Sequence, residues 1–437
     1  MDNQYIVALE IGSSKIVGAL AEVAASGQLF IRAVESEQTI NCVRYGCIQN
    51  VESTKATVNH IIAKLNNHVD GDITSVYVGV AGRTLHSVSM DVKYNLASEQ
   101  AITNAIINDI MKKACRESFP NYDTIDAVPR SFTIDNREVK DPEGNFASHI
   151  VAHITMIVAK PIISINLKRV FSPNMLKGFI TLPVALADAM LTEDERTLGC
   201  MLVDLGAETT TVSIYRKGAL EYLNTIPLGG RNLSLDISAL GIREEVAERI
   251  KKNIEHPLRP TADPVTIDGI KSSDAANYIL ARTGEIIANI TNQVSNAGLT
   301  LSDVRTIVIT GGGAMLKGID TVIAENTGLP VRIISSKPDG INIRTANESR
   351  IENFGVYSIM LAAAKHIGND SCVFKQSYVA TPVQPTDNPV KENPQEKNPT
   401  PQKPSGGGKN RLSWWERMKS RAVDIISEEK ENENDNY

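Results

Sequence analysis

Residues 5–20, YIVALEIGSSKIVGAL, and residues 200–215, CMLVDLGAETTTVSIY, follow one plan. Each runs as an apolar strand, an acid, one apolar residue, a glycine, a short polar turn and a second β-rich strand. Glu10 aligns with Asp204, and Gly12 with Gly206. Each copy is followed later by a short apolar strand that ends in glycine, VYVGVAG (76–82) and IVITGGG (307–313). A unit that occurs twice in the same order predicts an internal duplication and two related α/β lobes.

The chemistry of such turns is set by their small residues. A tight glycine turn exposes backbone N–H groups that can cradle phosphate oxygens. Gly12, Ser13, Ser14 and Lys15 form one candidate loop, and Gly206, Ala207, Glu208, Thr209 and Thr210 the other. Glu10 and Asp204, each at the end of a strand, are placed to hold a hydrated magnesium ion, which keeps several waters and needs few protein ligands. Lys15 would neutralise phosphate charge. A single turn of this kind is more often just a β-hairpin; the pair is what points to a nucleotide. A third glycine loop, TIVITGGGAMLKGID (306–320), contributes Gly311, Gly312 and Gly313 between a strand and a helix, where backbone can approach a ribose or α-phosphate closely. Glu248 and Lys251 stand three apart on one helical face and could meet a ribose and an adenine together, although in isolation the same spacing describes a surface ion pair.

Composition narrows the function further. The 437 residues carry a net charge of −6 and are 42% apolar, enough for two or more folded units and no general footprint for nucleic acid. Five cysteines, odd in number and without a CxxC pair, suggest neither a disulfide framework nor a zinc site and fit a reducing, cytoplasmic setting. The N-terminal MDNQYIVALEIG lacks a basic n-region and reads as a first strand. No apolar run of about 18 residues occurs, so membrane contact must be peripheral. His149 and His153 lie in a β-like segment that would hold their side chains about 13 Å apart, too far to share a metal. No serine or cysteine triad can be picked out from spacing.

Along the chain, residues 1–83 read as the start of the first lobe and 84–162 as an inserted α+β subdomain. Its helical stretch is AITNAIINDIMKKACRES, and its strand-like stretches are SFTIDNREV and HIVAHITMIVAK. Residues 163–375 complete the first lobe and supply the second. Residues 376–408 read as a disordered linker: seven of the 19 prolines fall within 382–404, and the extended reach is about 70–90 Å. Residues 409–430 read as an amphipathic helix whose Trp414, Trp415, Met418, Ile425 and Ile426 share an arc of about 120°. Between Lys409 and Arg421 lie five basic residues, among them Arg411, Arg417, Lys419 and Arg421, against one acid. Such a helix suits an anionic membrane surface. The acidic tail 431–437 opposes that attraction, so firm binding calls for several copies.

These residues resemble the actin-like ATPase superfamily. ALEIGSSK would be its first phosphate loop, LVDLGAETTTVSIY its second and IVITGGGAMLKGI its adenosine loop. Within it, VYVGVAG, DAVPRSFTIDNREVKDPEG, PLGGRNLSLDISALGIREEVAERIK and the terminal WWERMK are similar to the FtsA family of bacterial cell division proteins. The resemblance implies a two-lobed actin-like fold with a family-specific insert. It also implies an ATP- and magnesium-binding protein, at most a slow ATPase, that forms filaments with itself. Such a protein would hold the C-terminal tail of the tubulin-like FtsZ ring at the cytoplasmic face of the membrane and help recruit other divisome proteins at the septum. It carries the nucleotide pocket onto Gly12, Ser13, Ser14, Lys15, Gly206, Thr209, Gly229, Gly230, Glu248, Lys251, Gly311, Gly312 and Gly313. The first phosphate loop usually carries Asp where this chain has Glu10, so the carboxylate is displaced by about one methylene, which bears on hydrolysis more than on binding. The competing readings are a small-molecule kinase of the same fold, for which the linker and Trp-rich helix have no evident use, and a pilus- or secretion-type assembly relative, in which that helix would bind protein.

Overall fold

The computed structural model describes residues 4–39, 41–259, 266–343, 353–365, 367 and 370–374. The linker, the amphipathic helix with Trp414, Trp415, Met418, Ile425, Ile426, Arg411, Arg417, Lys419 and Arg421, and the acidic tail lie outside the described residues.

The chain opens with three antiparallel strands, β1 (Gln4–Ile11), β2 (Lys15–Val23) and β3 (Leu29–Gln38). A two-rung hairpin follows, β4 (Val43–Arg44) and β5 (Cys47–Ile48), then helix α1 (Val51–Asn66), β6 (Asp72–Ile73) and β7 (Val76–Val80). α1 starts where Asn50 accepts a hydrogen bond from Ser53 N, and it buries Val58, Ile61, Ile62 and Leu65 at helical spacing.

The insert comprises β8 (His86–Ala101), α2 (Asn104–Cys115), β9 (Asp123–Ile134), β10 (Arg137–Val139) and β11 (Phe146–Ala159). The segment read as one strand-like run, 131–139, is broken at Asp135 and Asn136. Both have positive φ, 44° and 71°, and they form the tight turn between β9 and β10, a conformation these two residue types tolerate. Ile107, Ile110 and Met111 of α2 pack with Phe132, Ile150 and Ile154 in a core of the insert's own.

The chain then returns through α3 (Ile162–Val170), β12 (Leu176–Thr181), α4 (Leu182–Met190) and α5 (Glu193–Leu198). The second lobe contains β13 (Cys200–Leu205), β14 (Thr210–Arg216), β15 (Ala219–Ile226), α6 (Gly230–Ser238) and α7 (Glu244–Asn253). It continues with β16 (Thr266–Ile267), β17 (Ile270–Lys271), α8 (Ser272–Asn296), β18 (Thr306–Thr310), α9 (Ile319–Thr327) and β19 (Val331–Ile333). Finally β20 (Ile341–Asn342), α10 (Phe354–Ala364) and β21 (Val373–Phe374) go back to the first lobe.

The duplication is visible in the sheets. The first lobe's order is β12-β7-β1-β2-β3-β20; the second contains β15-β14-β13-β18-β19, with the same antiparallel and parallel pairings around its central strand. β1 and β13 are almost wholly buried, as strands covered on both faces should be, which explains why they read as continuous apolar runs. The insert follows a strand of the first lobe in sequence, yet its sheet pairs through His86 with Asn224 of β15 and extends the second lobe's sheet to nine strands. Register with a distant edge strand is not written in local pattern. α10 is apolar all round because it is buried on all sides against β1, β7 and α4, with Phe354, Val356, Tyr357, Ile359 and Met360 inside. Each such side chain contributes about 1.5–3 kcal/mol. No described helix is long and apolar enough to cross a membrane.

Candidate functional site

The two duplicated turns have one geometry. Gly12 N donates to Lys15 O at 3.0 Å and Gly206 N to Thr209 O at 2.8 Å. A Cβ on either glycine would lie 2.9 Å from that same carbonyl. The first turn is braced from behind by Thr39, whose N donates to Ser14 O and whose hydroxyl donates to Gly12 O. Ser13 is buried, its Oγ accepting from Gly46 N at 2.8 Å, whereas Ser14 is exposed. Thr210 directs its hydroxyl to Leu228 O rather than outward.

The other predicted residues gather on the second turn. Gly230 N and Arg231 N donate to Gly206 O and Ala207 O. Gly229 touches the same segment so closely that a Cβ would come within 2.7 Å of it. Gly311, with φ of +87°, sits where a Cβ would meet Asp204 Oδ1 and Leu205 O, each at 2.5 Å, so only glycine fits on both counts. Gly313 lies against Leu205 and close to Gly230, while Gly312 has open space before it. Glu248 and Lys251 do form an ion pair, at 2.6 Å, but not an isolated one. Lys251 Nζ also donates to Gly230 O at 2.8 Å, and Ser234 Oγ donates to Glu248. Burial lowers the Lys251 pKa; for Glu248, burial acts upward but the Lys251 ammonium outweighs it and holds the carboxyl below its usual range.

Glu10 and Asp204, the acids at the matching strand ends of the two lobes, stand near enough for the charge of Asp204 to act on Glu10. Burial, with the Asp204 charge second, pushes Glu10 up to about 7; Lys15 partly offsets this. Burial likewise pushes Asp204 up to about 6. Glu10 also accepts from the backbone of Val356, so a strand residue caps α10. Its Oε2 is buried with no hydrogen-bond partner. Two buried carboxylates, one with an orphaned oxygen, form a donor set of the kind that suits a divalent cation and its waters. Glu10 fills the space in front of Gly355, where a Cβ would fall inside its carboxylate.

Several residues here escaped the sequence. Arg44, Tyr45 and Gly46 form a turn with Tyr45 at φ 52° and Gly46 at φ 69°, and reach both phosphate-type loops. The Tyr-Gly pair was the available signal. Thr39, Arg231 and Gly355 carried none, since each acts through a partner far away in sequence. Glu208 was counted in the cradle, but its side chain is buried in ion pairs with Arg44 and Arg231. His149 and His153 point to separate partners, Asn95 and Asp91, and no metal-holding cluster of His, Cys, Asp or Glu exists among the described residues. All five cysteines are free thiols.

A family model described as Cell division protein FtsA matches residues 201–354, and one described as SHS2 domain inserted in FTSA matches 82–158. Together they span more than half of the chain. The chain belongs to the FtsA family of cell division proteins. Among its relatives, cell division protein FtsA of Porphyromonas gingivalis is 27% identical over 373 residues, 81% of this chain and 78% of that protein. FtsA of Bacillus subtilis is 28% identical over 365 residues, 78% and 81%. In fold, the PilM–PilN type IV pilus biogenesis complex matches 82% of this chain and 97% of its own with a TM-score of 0.57. At 14% identity, that likeness shows the fold alone. The fold is actin-like, with the inserted SHS2 subdomain of the family.

Proposed function

We propose that this chain binds ATP with magnesium in the cleft between its lobes, assembles into filaments with copies of itself, and tethers the FtsZ ring to the cytoplasmic face of the membrane at the division septum. The observation that carries the nucleotide part is convergence: Gly206, Gly229, Gly230, Gly313 and Lys251 meet at one place, with Gly311 on Asp204 beside them and the first glycine turn facing from the other lobe. Backbone donors of the turns would receive the phosphates, and Glu248 and Lys251 the nucleoside. Glu10 and Asp204 would hold magnesium through water; the ion supplies charge neutralisation and orders a water. With Glu10 engaged by α10, ATP serves chiefly as a structural ligand, turned over slowly.

The tethering part rests on residues 409–430, where Trp414, Trp415, Met418, Ile425 and Ile426 supply an apolar face and Arg411, Arg417, Lys419 and Arg421 supply charge. FtsZ would be held by its C-terminal tail, and later divisome proteins recruited alongside. Family membership favours this over the kinase and pilus-type readings. The test is co-sedimentation of the full chain, and of a truncation ending at Lys375, with anionic vesicles, with and without ATP and magnesium. Pelleting of the full chain alone, strengthened by ATP, is expected. If both proteins bind ATP and stay in the supernatant, the tether is wrong.

A further inference from the structure

The two glycine turns agree in their closing backbone bond, and their third residues differ sharply in burial. The third residue of the first turn, Ser14, is exposed, while its counterpart Glu208 is 3% exposed. The turn itself does not demand that burial. Glu208 reaches out of the second lobe into the first: Tyr45 N donates to Oε2 at 2.6 Å, and the Arg44 guanidinium lies 2.7 Å from Oε1. From its own lobe, Arg231 Nη1 donates at 2.8 Å. Arg231 cannot swing away easily, since its Nε and Nη2 are held by Glu244 at 2.5 and 3.0 Å.

The hairpin that Glu208 grips is anchored firmly on the first lobe. Gly46 N donates to Ser13 Oγ, Arg83 N donates to Tyr45 O at 3.0 Å, and Gly46 stands so close to Gly82 that a Cβ would lie 2.7 Å from it. The guanidiniums of Arg44 and Arg83 lie 5.6 and 5.5 Å from the centre of the Tyr45 ring. One side chain therefore joins the second phosphate-type loop to the rigid hairpin beside the first.

We propose that Glu208 is the positioning residue that ties the two lobes, so that its hydrogen bond from Tyr45 and its ion pair with Arg44 must break before the lobes part and a nucleotide leaves. This rests on the nucleotide reading above. When the lobes part, the Glu208 carboxylate, 3% exposed, loses a backbone donor and one guanidinium and keeps only Arg231, so opening costs it two of its three partners. Opening breaks the Tyr45–Glu208 bond between lobes and spares the Gly46–Ser13 bond within one lobe. The two neighbouring amides therefore report different events.

The experiment uses the full chain, with Glu208→Ser copying the residue of the sister turn, Glu208→Gln keeping the shape, Arg44→Ala and the double variant Glu208→Ser/Arg44→Ala. Two quantities are read: release of a fluorescent ATP analogue with magnesium, and hydrogen exchange at the Tyr45 and Gly46 amides. Release about tenfold faster in each single variant, no further gain in the double, and loss of Tyr45 protection with Gly46 protection kept are expected. Release changed by less than about twofold, or Tyr45 protection unchanged in both Glu208 variants, overturns the tie. So does equal loss at both amides, which would mean a merely structural role in the hairpin. Failure of the unaltered protein to bind the analogue would refute the nucleotide reading instead, and exchange at Tyr45 would still decide the tie.

Discussion

Replacing Glu10 with Gln should stabilise the protein, and more so as pH rises. The carboxyl is pushed from its ordinary 4.5 to about 7 by burial and by Asp204. The folded state therefore holds this proton more tightly than the unfolded chain does. Between those two values wild-type stability falls with rising pH, and above about 7 the full cost is present. Moving a carboxyl from 4.5 to about 7 corresponds to about 3 kcal/mol. Gln keeps the shape and an oxygen that can accept from Val356, but it carries no charge to bury. In the absence of nucleotide and magnesium, Glu10→Gln should therefore exceed wild type by about 1 kcal/mol near pH 5 and about 3 kcal/mol near pH 8. Burial of Asp204 contributes to both proteins, while its repulsion with Glu10 is lost in the variant and belongs to the difference. Urea denaturation of the two proteins across that pH range measures it. With magnesium and ATP added the order should reverse, because in the proposed magnesium site the variant would lack a carboxylate. A difference independent of pH, or a variant less stable at every pH, would refute the claim that burying the Glu10 charge costs stability.

Gly311→Ala should cost about 1–3 kcal/mol in urea denaturation and abolish nucleotide binding, because φ is +87° and the new methyl meets Asp204; Gly312→Ala, with open space before it, should be near neutral. Gly355→Ala should destabilise by about 1–3 kcal/mol through its clash with Glu10, and Glu10→Asp, shorter by a methylene, should restore much of that loss in a double-mutant cycle. Lys251→Ala removes the donor to Gly230 O and the partner of Glu248, and should weaken ATP binding about tenfold or more in a titration. Alkylation of the native protein should mark Cys115 first by mass spectrometry, since Cys42, Cys47, Cys200 and Cys372 are buried and burial pushes the Cys200 thiol to about 12.

Much of the fold was legible because it is repeated. The strand-acid-glycine-turn-strand pattern at 5–20 and 200–215 encodes a hairpin in each lobe, and both hairpins form with the same turn bond. Close backbone approach leaves no room for a Cβ at Gly229, Gly311 and Gly313, and at Gly311 a positive φ adds to it, whereas Gly230 and Gly312 meet no such limit and were carried by the resemblance and by the run of glycines. The insert's helix was readable from apolar spacing; the turn at Asp135 and Asn136 was missed although the alternation of Phe132 and Ile134 ends there on a pair of residues that tolerate positive φ.

Local pattern specifies what a segment becomes and which backbone it needs. It specifies neither which remote strand an edge finds nor which charge a buried acid meets. The junction of the insert with β15 through His86, the cap that Glu10 places on α10, and the burial of Glu208 between Arg44 and Arg231 all join residues far apart in sequence. Those partners are chosen by packing of the two lobes, where a buried charge must find whatever compensation the tertiary structure brings to it. The sequence by itself determined the hairpins, the glycine turns and the acids at their strand ends. Only the folded chain decided that Glu10 caps a helix, that the charge of Asp204 reaches it from the other lobe, and that Glu208 bridges the lobes.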